Sequence, residues 1–146
     1  MENKRILFTN ETGGVSVIIP APGATLEQVI KAVPTGAHYE VVDADAIPSD
    51  RTFRNAWYHD TTPEPQKVGV DIVKAQDIAH EKRRAKRAEE FAPHDEVIMK
   101  QIPGVDAAEA EAARTAIRAK HDAIQAEIDA AADHSELKTI IDREGL

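Results

Sequence analysis

The aromatic side chains are too few and too clustered to build more than one substantial core. The only Trp, both Tyr and Phe53 lie within the run VPTGAHYEVVDADAIPSDRTFRNAWY, Val33 to Tyr58, whereas Ala is densest between Ala107 and Ala132. A large aromatic removes much more surface from water than an alanine, which favours helix but buries little area per residue. The chain must therefore combine a small mixed unit around the aromatics with a helical region carrying thin apolar stripes. At 146 residues it fits a small domain with an appended helical arm.

Arg5 to Thr9 and Val15 to Ile19 are short apolar runs separated by Asn10, Glu11, Thr12, Gly13 and Gly14, which predicts a β-hairpin. No Lys-Ser or Lys-Thr follows the glycines, so they read as turn residues rather than as a phosphate loop. Pro20, Pro22 and Gly23 end the hairpin. Thr25 with Gln28 is a capping-box signature, and Leu26, Val29, Ile30 and Val33 recur at helical spacing before Pro34. His38 to Val42 is a strand, followed by turn formers from Asp43 to Asp50, the last a candidate cap. Phe53 and Trp57 fit either a helical i,i+4 pair or one face of a strand, and both readings stand. Residues 1–60 thus form a small α+β domain.

Thr61, Thr62, Pro63, Glu64 and Pro65 read as an extended, semi-rigid linker, which places a boundary at 61–66 and a helical region at 67–146. Asp71 is expected to cap a helix that Pro93 stops, with Ile72, Ala75, Ile78, Ala79, Ala85 and Ala88 as its stripe. His94 to Ile102 reads as a short helix or connector. Asp106 caps the strongest helix, about Ala107 to Ala132, with Ala113, Ile117, Ile124, Ile128 and Ala131 along one side. Ser135 is expected to cap a terminal helix carrying Leu137, Ile140 and Ile141.

The two long helices are expected to pair as an antiparallel hairpin on which the terminal helix can dock. Such thin stripes call for a further surface, expected from other subunits, so the sequence predicts self-association or a heteromeric complex. Ile117, Ile124 and Ile128 form the candidate partner-binding ridge. Arg83, Arg84 and Arg87, in the basic turn Lys82 to Arg87, are candidate charged contacts; Glu81, Glu89 and Glu90 flank them, as on a solvated face laced with ion pairs.

Chemistry is narrowed by what the sequence lacks. There is no cysteine, which removes disulfides, thiolate metal sites and cysteine nucleophiles. The six histidines are dispersed without a compact metal spacing, and Ser16, Ser49 and Ser135 lack a nucleophile-elbow context. Asp43 and Asp45 sit among turn formers. No catalytic, cofactor or metal residues are assigned, and no enzyme is expected. Arg51 and Arg54 interleave with Phe53, Trp57 and Tyr58, a pattern that can stack and neutralise single-stranded nucleic acid. With a net charge of −8, core aromatics flanked by arginine stems are the preferred reading, and nucleic acid is not the expected partner. MENKRILF has no run of signal-peptide length, and no segment has the apolar length of a membrane span. The expected setting is the cytoplasm or a particle assembled there.

ILFTN, a glycine turn, VSVIIPAPG, VPTGAHYEVVDADAIPSDRTFRNAW, VDIVKAQDIAHEKRRAKR and SELKTI, in that order, resemble small structural and assembly proteins of tailed bacteriophages and prophages. The resemblance covers most of the chain, and DRTFRNAW at Asp50 to Trp57 is its most distinctive part; the chain departs from the pattern over Glu90 to Gly104. It implies phage origin. The function it suggests is a non-enzymatic minor virion component of the tail, fibre or neck that binds other phage structural proteins. The alternatives are a tail or fibre assembly chaperone, or a nucleic-acid-binding regulator relying on Arg83, Arg84 and Arg87.

Overall fold

The computed structural model describes residues 1–62 and 67–146 and divides the chain into two units, Met1–Asp71 and Ile72–Leu146. The first is α+β: β1 (Lys4–Thr9), β2 (Val15–Ile18), α1 (Leu26–Ile30), β3 (Tyr39–Asp43), β4 (Trp57–His59) and β5 (Val68–Val70). The second contains α2 (Ile72–Lys100), α3 (Ala108–Ala130) and α4 (His134–Glu144). Among the described residues no helix is long and apolar enough to cross a membrane.

The hairpin forms as expected. β1 lies between β2 and β3 in an antiparallel sheet, with Leu7 opposite Val17 on one side and Glu40 on the other. Asn10 organises the loop: its Oδ1 accepts from Thr12 N at 3.1 Å and Gly14 N at 3.0 Å, while Gly13 takes φ +79°, a conformation that favours glycine. Ile6 and Leu7 are adjacent and both fully buried, so both faces of β1 are covered. Leu7, Val42, Trp57 and Val68 form one core cluster, with Val15, Val17 and Ile47 packed against it. The capping box on α1 closes both ways, Thr25 Oγ1 accepting from Gln28 N and Gln28 Oε1 from Thr25 N. Only Val29 of its expected stripe is buried, and the helix ends at Ile30.

Phe53 and Trp57 share neither one helix nor one strand. A 3-10 turn at Arg54–Ala56 separates them, and Trp57 opens β4. Both are buried at 4% exposure, so they are core residues. Asp50 receives Thr52 N and Oγ1 at 2.9 and 2.6 Å, an Asx turn rather than a helix cap. The boundary expected at 61–66 falls elsewhere. Residues 63–66, including Pro63, Glu64 and Pro65, lie outside the described residues, and Val68–Val70 pair with β4 through Trp57↔Val70 and His59↔Val68. Residues 67–71 therefore belong to the α+β unit. A three-residue strand containing Gly69 carries little sequence pattern; Tyr58 covers that glycine, where an added Cβ would lie 2.2 Å from the ring.

α2 runs through Pro93 instead of stopping there. A proline in a helix loses one backbone donor and costs about 3 kcal/mol, but contacts to α3 anchor α2 on both sides of it. Before it, Glu90 binds Lys120 and His121, and Phe91 lies beneath Arg114 and Arg118; after it, Asp95 pairs with Arg114 at 2.8 Å. The buried line of α2 is Ala75, Ala79 and Arg83, while Ala85 and Ala88 of the expected stripe are exposed. α3 begins near Asp106, whose Oδ1 accepts from Ala108 N at 2.9 Å. Asp133, not Ser135, caps α4, accepting from Glu136 N at 2.9 Å, and Glu136 reaches back to Ala132 N at 2.8 Å.

Candidate functional site

α2 and α3 run antiparallel. Gln76 of α2 donates to the carbonyl of Ile128 at 3.2 Å, Arg83 lies beside the carbonyl of His121, and Asp95 pairs with Arg114, so positions advance on one helix as they recede on the other. α4 closes the unit with Leu137, Ile140 and Ile141, all buried. Its register at i, i+3 and i+4 gives one apolar face. This helix is the further surface that thin stripes require, and it belongs to the same chain.

That closure corrects the expected partner-binding ridge. Ile124 and Ile128 are buried within the helical unit and Ile117 is half-buried, so the three do not form a free surface. Arg83 is also buried, with one guanidinium nitrogen 3.5 Å from the His121 carbonyl and its Nε unpartnered. Burial, with Arg87 and Arg84 nearby, lowers its pKa. Arg84 is exposed and Arg87 half-buried, so the basic turn splits: Arg83 points inward, and only the other two can reach a partner. A stripe read from apolar residues alone misses a buried arginine; the i,i+4 spacing of Ala75, Ala79 and Arg83 was its only sequence signal.

Each unit also contains a fully buried histidine tied to a glutamate that a lysine shares. In the α+β unit, Glu40 lies 3.1 Å from His59 Nε2 and 2.9 Å from Lys67. In the helical unit, Glu90 lies 2.9 Å from His121 Nε2 and 2.8 Å from Lys120. A carboxylate can only accept, so in both pairs Nε2 donates to it, and Nδ1 of each ring has no hydrogen-bond partner among the described residues. The lysine hydrogen bond, supported by the histidine, holds both carboxyls below the ordinary glutamate value. These knots join strand to strand and helix to helix. Among the described residues no group of three metal-ligating side chains comes together.

Among the described residues, two open surfaces bear on binding. At the turn between α2 and α3, Met99, Ile102 and Val105 are 82%, 48% and 52% exposed, next to Gln101 at φ +43° and Gly104 at φ +84°. In the α+β unit, a groove of about 280 Å³ is lined by Arg5, Arg51, Arg54, Ser49, Ile19 and Trp57 among others. A polar groove of about 550 Å³, lined by Asn10, Ser16, Asn55 and again Arg54 and Trp57, borders the same residues. Because Phe53 and Trp57 are buried, neither offers a ring face to stacked bases. Compared with protein-family models, curated proteins and solved structures, the chain has no match in any of the three.

Proposed function

We propose that the chain is a non-enzymatic minor component of a tailed-bacteriophage particle, in the tail, fibre or neck, assembled in the host cytoplasm and held by contacts with other virion proteins. The observation that carries the reading is the apolar tip of the helical hairpin. Met99, Ile102 and Val105 are concentrated at one end of a unit whose Ile124, Ile128, Leu137, Ile140 and Ile141 are all buried. Exposed large apolar residues gathered in one place favour a protein contact over solvent. Arg84 and Arg87 on α2 can add charged contacts. The phage-like order of segments, with DRTFRNAW at its centre, supplies the setting.

Mass spectrometry of purified particles tests the proposal. The protein is expected at a fixed stoichiometry, and Met99→Glu combined with Ile102→Glu should remove it from particles without reducing helix content. Its absence from particles but presence on tail or fibre intermediates would replace this reading with the assembly chaperone. Tight, salt-sensitive DNA binding lost on Arg84→Ala with Arg87→Ala would favour the regulator.

A further inference from the structure

Among the described residues β2 is an edge strand, paired with β1 on one side. Asn10 N donates to Gly14 O at 2.8 Å, and the register continues through Thr9↔Val15, Phe8↔Ser16, Leu7↔Val17 and Ile6↔Ile18. Antiparallel ladders alternate bonded and unbonded pairs, so Ser16 and Ile18 turn their backbone groups toward β1 while Val15 and Val17 turn theirs outward. Those two residues line the grooves described above. Open strand edges are templates for another extended segment.

The charge of the groove selects among such segments. The chain carries 26 acidic and 18 basic residues, yet among the described residues three arginines and no carboxylate line the smaller groove, and no carboxylate lines its polar neighbour. Arg51 and Arg54 have no ion-pair partner among the described residues, and Arg5 is held only by the carbonyls of Glu2 and Lys4. The adjacent acid, Asp50, has its Oδ1 occupied by Thr52. Ile19, 61% exposed, adds an apolar position on the rim. A guanidinium fork without an acid partner is suited to carboxylates.

We propose that the groove between β2 and residues 49–57 binds an extended acidic segment of a partner protein, which adds a strand to the open edge of β2 and places its carboxylates against Arg5, Arg51 and Arg54. A nucleic acid fits less well, because Phe53 and Trp57 are buried and the chain is strongly acidic overall. The site is separate from the hairpin tip, so particle incorporation and this binding can fail independently.

Trp57, the only tryptophan, lines both grooves and reports occupancy by its fluorescence. Titration of the full chain with a capped peptide of alternating Glu and Val should give a saturable change that weakens with salt. Arg51→Ala with Arg54→Ala should weaken binding by about tenfold or more, since the charge-assisted bonds of two guanidinium forks are lost. Circular dichroism checks that this variant stays folded. The same peptide methylated on alternate backbone nitrogens should bind poorly, because strand addition needs those donors. No saturable response, equal binding by the folded double variant or by the methylated peptide, or tighter binding of a thymidine oligonucleotide would each overturn the proposal.

Discussion

Ile128→Ala tests whether the helical unit closes on itself. Ile128 is fully buried on α3, its carbonyl accepts from Gln76 of α2, and it lies one turn from Ile124 and beside Ala131, both buried. Truncation removes buried methyl and methylene groups and leaves a cavity that three packed helices can fill only in part, a loss of about 2–5 kcal/mol. Domains are stable by only about 5–15 kcal/mol, so the change is a large share of the total. At about 4–8 °C per kcal/mol for a unit of this size, the helical melting transition should fall by at least about 8 °C. Circular dichroism on dilute full-length protein measures it. Met99→Ala, at an exposed site, should stay within about 0.5 kcal/mol of the parent and serves as control. If Ile128→Ala moved the transition no more than Met99→Ala, Ile128 would not be a core residue and the ridge would again be a candidate surface.

Trp57→Ala should cost about 3–5 kcal/mol by urea unfolding, as expected for a buried aromatic in the sheet core; unchanged stability would remove that assignment. Arg83→Met should leave stability equal or higher, because a buried cation with one long contact to a carbonyl is replaced by an apolar chain of similar length, and thermal unfolding reads the sign. Glu40 and Glu90 have pKa values lowered from 4.5, so their contribution is fully present above that value and is lost as pH falls through the lowered values. Glu40→Gln with Glu90→Gln should therefore flatten the acid limb of a stability-versus-pH curve below about pH 4.5 while changing its slope little near neutrality.

The readable parts of the sequence were those where local chemistry and burial agree. The β1–β2 hairpin follows from two apolar runs and a glycine turn, and the α1 cap from Thr25 and Gln28 three residues apart. Pro93 misled because its local preference is opposed by Glu90, Phe91 and Asp95 contacts to α3, which are distant in sequence. The helical core was underestimated for a related reason. Leu137, Ile140 and Ile141 are legible as an apolar face, but nothing local says that they are buried within the same chain rather than against a second one. The groove was only half legible. Arg51 and Arg54 stand out beside aromatics, but Arg5 lines the same groove only through the fold, and the burial of Trp57 with Leu7, Val42 and Val68 rests on residues distant in sequence.

Hydrogen exchange on a proven monomer tests most directly the claim that the helical unit folds alone and leaves its apolar tip free for partners. Strong protection is expected across Ala108–Ala130 and His134–Glu144, independent of protein concentration, with fast exchange at the turn around Ile102 and Val105. Protection of Ala108–Ala130 that appears only as concentration rises would contradict it, because the cover on Ile124 and Ile128 would then come from another chain.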